Sequence, residues 1–285
     1  MFEFSVQNDK GEALELTDNP NYNVVKITGL TPAGCTINTA AATRVEGGKI
    51  RFGHGEELTS IRINKRNITI TIIPEYPIEE NRNALYRYFP EKKKIRLFYE
   101  NGTRSVYIDG YVESMEIDLF VMRETFQISI LCPNPFFVNT QETGVFSCVP
   151  EIPLLEFPYS AEDMEMSEIA TGGFVLNNPG TVPSGALFHV SITAPTESLT
   201  IYTDSGFLGI KEHLQAFDNV YIRTTTKEKA IWLERGGTVT NLLPKRISGM
   251  TWAQVEPGTN HYRVEVDIPT GYIMDVTYRV LYEGV

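Results

Sequence analysis

The chain has 285 residues and a formal net charge of −11, with 42% apolar, 11% aromatic and 21% charged side chains. That composition describes one large or two ordinary packed domains and excludes a disordered or coiled-coil chain. Apolar runs span only a few residues, far below the roughly 20 that a membrane-spanning helix needs, so no membrane insertion is expected.

The charge is uneven. Residues 1–140 carry 18 acidic and 16 basic side chains, whereas residues 141–285 carry 18 and 9. A nucleic-acid-binding module needs a basic stripe to displace counterions, and the acidic second half argues against one. Cys35, Cys132 and Cys148 are widely spaced, with no C-x-x-C pair. They suggest buried thiols rather than a disulfide framework or zinc site. Met1-Phe2-Glu3-Phe4 shows no basic region followed by an apolar block, so no secretory signal is expected and assembly is expected in the cytosol.

In chain order, Val24 to Gly29 alternate as a strand that ends at Gly29-Leu30-Thr31-Pro32. From Ala33 to Gly55 small and polar residues dominate, among them Thr39-Ala40-Ala41-Ala42-Thr43, and the tip candidates are Gly47-Gly48. Val45, Ile50 and Phe52 are the apolar positions noted there. This segment cannot build a core of its own, and its length calls for a function or for disorder. Two readings stand on residues alone: a loose surface loop, or a hairpin that projects and needs another surface to satisfy its edges.

Ile61 and Ile63 lie on one parity and Ile68, Ile70 and Ile72 on the other, so Lys65-Arg66-Asn67 must contain a bulge or turn. The one convincing helix lies between Ile78 and Pro90, with Glu79-Glu80 in its first turn and Ile78, Leu85, Tyr86 and Phe89 near one face. The run Lys92-Lys93-Lys94 that follows reads as an exposed loop rather than a phosphate site. Ile95–Tyr99 and Val106–Ile108 flank Asn101-Gly102, a strong hairpin signal. A period-two strand reaches Gln127-Ile128-Ser129-Ile130-Leu131 and stops at Cys132-Pro133-Asn134-Pro135, where prolines cannot continue a ladder. Phe136 and Phe137 follow at once, which suggests an aromatic latch at an interdomain junction or, more plainly, a Pro-rich turn with core aromatics.

Thr140 to Met166, punctuated by Pro150, Pro153 and Pro158, reads as a linker that merges into a first edge strand. Short strands then alternate with turn clusters such as Asn178-Pro179-Gly180 and Glu256-Pro257-Gly258, which reads as a β-sandwich. The clearest strand carries Val276, Tyr278, Val280 and Tyr282 on one face. His54, His189, His213 and His261 lack metal-ligand spacing, and no G-x-S-x-G, Walker or dinucleotide motif occurs, so neither enzyme activity nor a metal or cofactor is expected. Trp232 and Trp252 with 14 tyrosines leave a carbohydrate-binding, lectin-like sandwich as the alternative, with Trp232 itself expected in the core.

The order of loose arm, Arg66-Asn67-Ile68 strand, helix with Leu85-Tyr86, Asn-Gly hairpin, Asp109-Gly110-Tyr111 and Cys132-Pro133 resembles the distal tail protein family of long-tailed bacteriophages, and the turn order of the second half continues it. The resemblance implies a mainly β chain: a split β-barrel like tail tube proteins over residues 1–138, then a galectin-like β-sandwich over 139–285. It implies that a belt arm at about 36–58, with Thr39, Ala40, Val45, Gly47, Gly48, Ile50 and Phe52, reaches a neighbouring subunit, and that Cys132, Pro133, Pro135, Phe136 and Phe137 form the interdomain junction. The implied function is a structural hub of a phage tail tip or of a phage-tail-like bacteriocin, assembled in the host cytoplasm. The implied partners are its own copies in a homohexameric ring, the tail tube protein, a tail-associated hub protein, and receptor-binding or baseplate proteins. DNA would pass the lumen without specific binding.

Overall fold

The computed structural model describes residues 2–46, 49–118, 123–148 and 173–285, with side chains described in these ranges except at 42–54 and 141–148. The chain is mainly β and divides into two compact units. One is Met1–Thr140 together with Tyr282–Val285, and the other is Gln141–Leu281. The return of Tyr282–Val285 to the first unit had no signal in the sequence.

The first unit contains β1 (Glu3–Gln7), β2 (Ala13–Glu15), β3 (Tyr22–Thr28), β4 (Cys35–Glu46), β5 (Lys49–Ile63) and β6 (Arg66–Pro74). There follow α1 (Ile78–Tyr88), β7 (Lys94–Glu100), β8 (Ser105–Ile117), β9 (Phe126–Cys132) and the start of β10 (Phe137–Cys148). Seven of these strands form an antiparallel sheet in the order β2-β1-β7-β8-β9-β6-β3. Val138 and Asn139 at the start of β10 add to it by pairing with Tyr107 and Val106 of β8.

Period-two alternation explains the core. Ile68, Ile70 and Ile72 on β6 and Phe126, Ile128 and Ile130 on β9 are each 0% exposed, and Ile95, Leu97, Val106 and Ile108 from β7 and β8 are buried as well. Each such side chain contributes about 1.5–3 kcal/mol by leaving water. Gly110 on β8 is required by close approach: a Cβ there would lie 2.6 Å from Ile130 Cγ2 and 3.0 Å from Cys132 Sγ. The β7–β8 hairpin closes through a four-residue loop between Glu100 and Ser105. Asn101 organises it, its Oδ1 accepting from the N–H groups of Thr103 (2.9 Å) and Arg104 (2.8 Å).

The helix departs from its expected face. Leu85 and Phe89 are buried, but Ile78 is 41% and Tyr86 45% exposed. At 100° per residue Tyr86 lies about 80° round the helix from Ile78 and about 100° from Leu85, and its ring meets Phe126 edge-on at 6.4 Å. Asn81 takes a buried position instead, donating to the Glu75 carbonyl (2.9 Å) and accepting from the Tyr22 hydroxyl at its own carbonyl (3.1 Å).

The second unit carries β11 (Gly173–Asn178), β12 (Ala186–Ile192), β13 (Thr196–Thr203), β14 (Gly206–Leu214), β15 (Asn219–Arg223), β16 (Ala230–Arg235), β17 (Thr238–Asn241), β18 (Gly258–Glu265) and β19 (Tyr272–Tyr282). They form two antiparallel sheets, β11-β18-β13-β14 and β17-β16-β15-β12-β19, a β-sandwich. Leu176, Leu199, Ile201 and Ile210 from the first sheet and Phe188, Val190, Ile222 and Val276 from the second are buried. The expected linker from Thr140 is corrected in part, since strand β10 continues to Cys148. Pro150, Pro153 and Pro158 lie outside the described residues.

Candidate functional site

The segment between β3 and β6 is a long hairpin. β4 and β5 pair antiparallel from Cys35↔Ile63 to Glu46↔Lys49 and form a two-stranded sheet of their own. The arm is longer than the expected 36–58, and Gly47-Gly48 at its tip lie outside the described residues. Val45 pairs with Ile50 and Thr43 with Phe52, but the side chains of Val45, Ile50 and Phe52 are likewise outside the description. Thr39 and Ala40 are exposed, opposite Leu58 and Glu57.

The described part of the arm also exposes large aliphatic side chains, of which the sequence reading noted Ile61 and Ile63 only as strand residues. Ile37 is 58% exposed, Leu58 59%, Ile61 59% and Ile63 40%. Ile37 pairs directly with Ile61, Cys35 with Ile63 and Thr39 with Leu58. Cross-strand partners share a face and β4 alternates with period two, so these aliphatic groups form one stripe. Every described residue of the arm at 35–41 and 55–63 is exposed. Polar cross-strand bonds hold the pair: Thr59 Oγ1 donates to the Asn38 carbonyl (3.0 Å), Asn38 Nδ2 to Ser60 Oγ (3.0 Å), and Thr39 bonds Glu56. A two-stranded hairpin with no further strand or covering face is marginally stable in water, and the described part of this arm has neither.

At the root of the arm sits Arg66, 3% exposed. It shares the parity of Ile68, Ile70 and Ile72, and a single cation on a buried parity is the signal by which the sequence could have revealed it. Its Nε donates to the Pro135 carbonyl at 2.7 Å, Nη1 to the carbonyls of Gly29 and Thr31, and Nη2 to that of Glu283. The Phe137 ring lies 4.7 Å from the guanidinium carbon. Burial lowers the Arg66 pKa from its ordinary value, and the carbonyl dipoles are what compensate its charge.

Arg66 therefore gathers several of the expected junction residues. Cys132, its ladder partner, is 0% exposed, and burial pushes its thiol up to about 12. Pro135 supplies an acceptor and Phe137 the ring beneath. Pro133 is exposed and Phe136 half-buried, so the aromatic pair is split: only Phe137 enters the core.

In the second unit Trp232 is half-buried rather than in the core, because Ile231 and Leu233 take the inward parity of β16. Tyr221 stacks on Trp232 with centroids 4.9 Å apart and planes 8° apart, and on His189 at 4.5 Å and 9°. Since β15 lies between β12 and β16, both faces of Tyr221 are covered. Tyr221 and Trp232 also meet the Glu234 carboxylate, at 3.3 and 3.4 Å. A sugar stacks on a free ring face, and Tyr221 has neither face free. In the lysine run, Lys93 and Lys94 face Asp9 (3.7 Å) and Asp109 (2.7 Å). Among the described residues there is no cluster of three or more His, Cys, Asp or Glu able to hold a metal ion, and no helix long and apolar enough to cross a membrane.

An exposed hairpin arm beside a seven-stranded sheet, with a β-sandwich following in the chain, is a fold already seen in a solved phage protein. The chain is similar to the Dit protein (gp 19.1) of phage SPP1, described as a paradigm of the hub adsorption apparatus in phages that infect Gram-positive bacteria. The TM-score is 0.61 at 12% identity, covering 96% of this chain and 98% of that one. The baseplate of phage P2 in its activated conformation also matches, with a TM-score of 0.41 at 12% identity over 98% of each chain. No protein-family model and no curated protein matches the sequence.

Proposed function

We propose that this chain is a structural subunit of a phage-type tail tip, in a virion or a tail-like bacteriocin, and that it works by assembly rather than catalysis. The observation that carries this reading is the exposed aliphatic stripe of Ile37, Leu58, Ile61 and Ile63 on an arm without a core, in a chain that shares the SPP1 Dit fold almost end to end. Laid against a second copy, the stripe loses its water and the free edges of β4 and β5 find partners. A head-to-tail contact of this kind, repeated round an axis, closes a ring, and six copies is the proposed number.

In this reading the first unit is a split barrel that continues the tail tube, and the second a galectin-like sandwich that carries receptor-binding or baseplate proteins. Cys132, Pro133, Pro135, Phe136 and Phe137 form the junction, and Thr39, Ala40, Val45, Gly47, Gly48, Ile50 and Phe52 belong to the contacting arm. A tail-associated hub protein docks on the ring, DNA crosses its lumen without specific binding, and assembly takes place in the host cytoplasm.

Electron microscopy of the purified protein, with mass from light scattering after size exclusion, tests the proposal. Closed rings are expected from the intact chain, and folded monomers when Cys35–Ile63 is replaced by a short Gly-Ser linker. Rings from the replaced chain would defeat the arm assignment.

A further inference from the structure

The two limbs of the arm leave and re-enter the first unit beside Arg66. The outgoing limb turns at Gly29, whose φ of +83° and 2.0 Å approach of a notional Cβ to the Asn67 carbonyl oxygen admit only glycine. The returning limb ends with the Asn64 N–H donating to the Gly34 carbonyl at 2.9 Å, and Arg66 follows two residues later. Arg66 thus stands on the returning limb and holds carbonyls of the outgoing one.

The segment Tyr282–Val285 covers this knot. Glu283 gives its carbonyl to Arg66, and the Val285 N–H donates to the Leu30 carbonyl at 3.1 Å. Arg104 donates to the Gly284 carbonyl at 2.8 Å and lies 4.5 Å from the centroid of the Tyr282 ring. Gly284 packs so closely that a Cβ would sit 2.9 Å from Pro32 Cδ.

We propose that Arg66 is a positioning residue which, with Tyr282–Val285 as a strap over it, fixes the direction in which the arm leaves the first unit. The proposal rests on the reading of the arm as the subunit contact. Its physical basis is that a hairpin without a core has no other means of holding an angle. Four charge-assisted bonds from one rigid planar fork resist both twisting and splaying of the limbs, and the strap keeps water from competing for those carbonyls. Fixing the arm before contact lowers the ordering cost of association.

The test compares the intact chain with a variant lacking Glu283–Val285, by hydrogen exchange and by the concentration at which assembly occurs. The expected result is exchange at Asn64 accelerated about tenfold or more while Ile68, Ile70 and Ile128 remain protected, with assembly moved to a higher protein concentration. Gly284→Leu, which keeps the chain length, should do the same. Arg66→Lys, which keeps the charge but not the fork, should weaken assembly more than it exposes the core amides. Unchanged exchange at Asn64 would overturn the proposal, and so would faster exchange with unchanged assembly. An intact chain that stays monomeric would instead overturn the tail-hub reading, while the Asn64 comparison would still decide whether the strap holds the root.

Discussion

Two hairpins of the first unit obey the same pairing rules and end in opposite environments. In β7–β8 the apolar residues Ile95, Leu97, Val106 and Ile108 are buried to 1% exposure or less. In β4–β5 the equivalent aliphatics, Ile37, Leu58, Ile61 and Ile63, are 40% to 59% exposed. Local sequence decides that a hairpin forms; whether it is stable depends on what covers its apolar face. The first hairpin is covered by its own unit, whereas the described aliphatics of the second face solvent, and under the proposed function a second copy would cover them.

The contrast breaks most easily by shortening matched side chains. Ile128→Ala in β9 should cost the first unit about 2–5 kcal/mol in urea unfolding, through lost burial and the cavity left behind. Ile61→Ala in the arm should stay within about 0.5 kcal/mol for the monomer and show itself only as weaker assembly. Equal losses would mean that the arm packs on its own unit.

Glycines sharpen the comparison on a smaller scale. Gly29→Ala meets both a φ of +83° and backbone at 2.0 Å, and should lower the thermal midpoint by several degrees. Gly55→Ala, on the arm at φ +90° with nothing within 4 Å, carries only its backbone strain, about 1–2 kcal/mol on the hairpin alone. It should leave the main unfolding transition in place.

The second unit offers a pH test with a smaller effect. Burial pushes the Asp218 carboxyl up, but hydrogen bonds from Arg235 (2.6 and 2.8 Å) and from the Gln215 N–H (2.7 Å) outweigh it and leave its pKa below the ordinary value of 3.8. The stabilisation is therefore full above the unfolded value and lost as the pH falls through the lower folded one. Urea titrations between about pH 5 and pH 2 should show a shallower acid limb for Asp218→Asn than for the parent chain, and identical limbs would assign the acid sensitivity elsewhere.

Elements carried by period-two alternation were legible in the sequence. Ile68-Ile70-Ile72, the Asn101 hairpin and the face of Val276, Tyr278 and Val280 all read directly, because burial on one face imprints the pattern. The arm was legible as a segment without a core, but its stripe was not: Ile61 and Ile63 look like an ordinary strand, and only the pairing of Ile37 with Ile61 places them together in solvent. Arg66 escaped notice because its partners are backbone carbonyls at 29, 31, 135 and 283, groups that leave no mark in side-chain composition. Trp232 was misplaced because Ile231 and Leu233 fix the inward parity of β16, which the general preference of strand aromatics for the core does not take into account.

The most direct measurement is hydrogen exchange across the arm at two protein concentrations, one above and one below the assembly threshold. The account predicts that amides of Cys35–Ala41 and Gly55–Ile63 are protected in the assembled state and exchange freely on dilution, while those of β6 and β9 stay protected in both. Arm amides equally protected at both concentrations would show that the hairpin is ordered by its own chain and would contradict the claim that a second copy completes it.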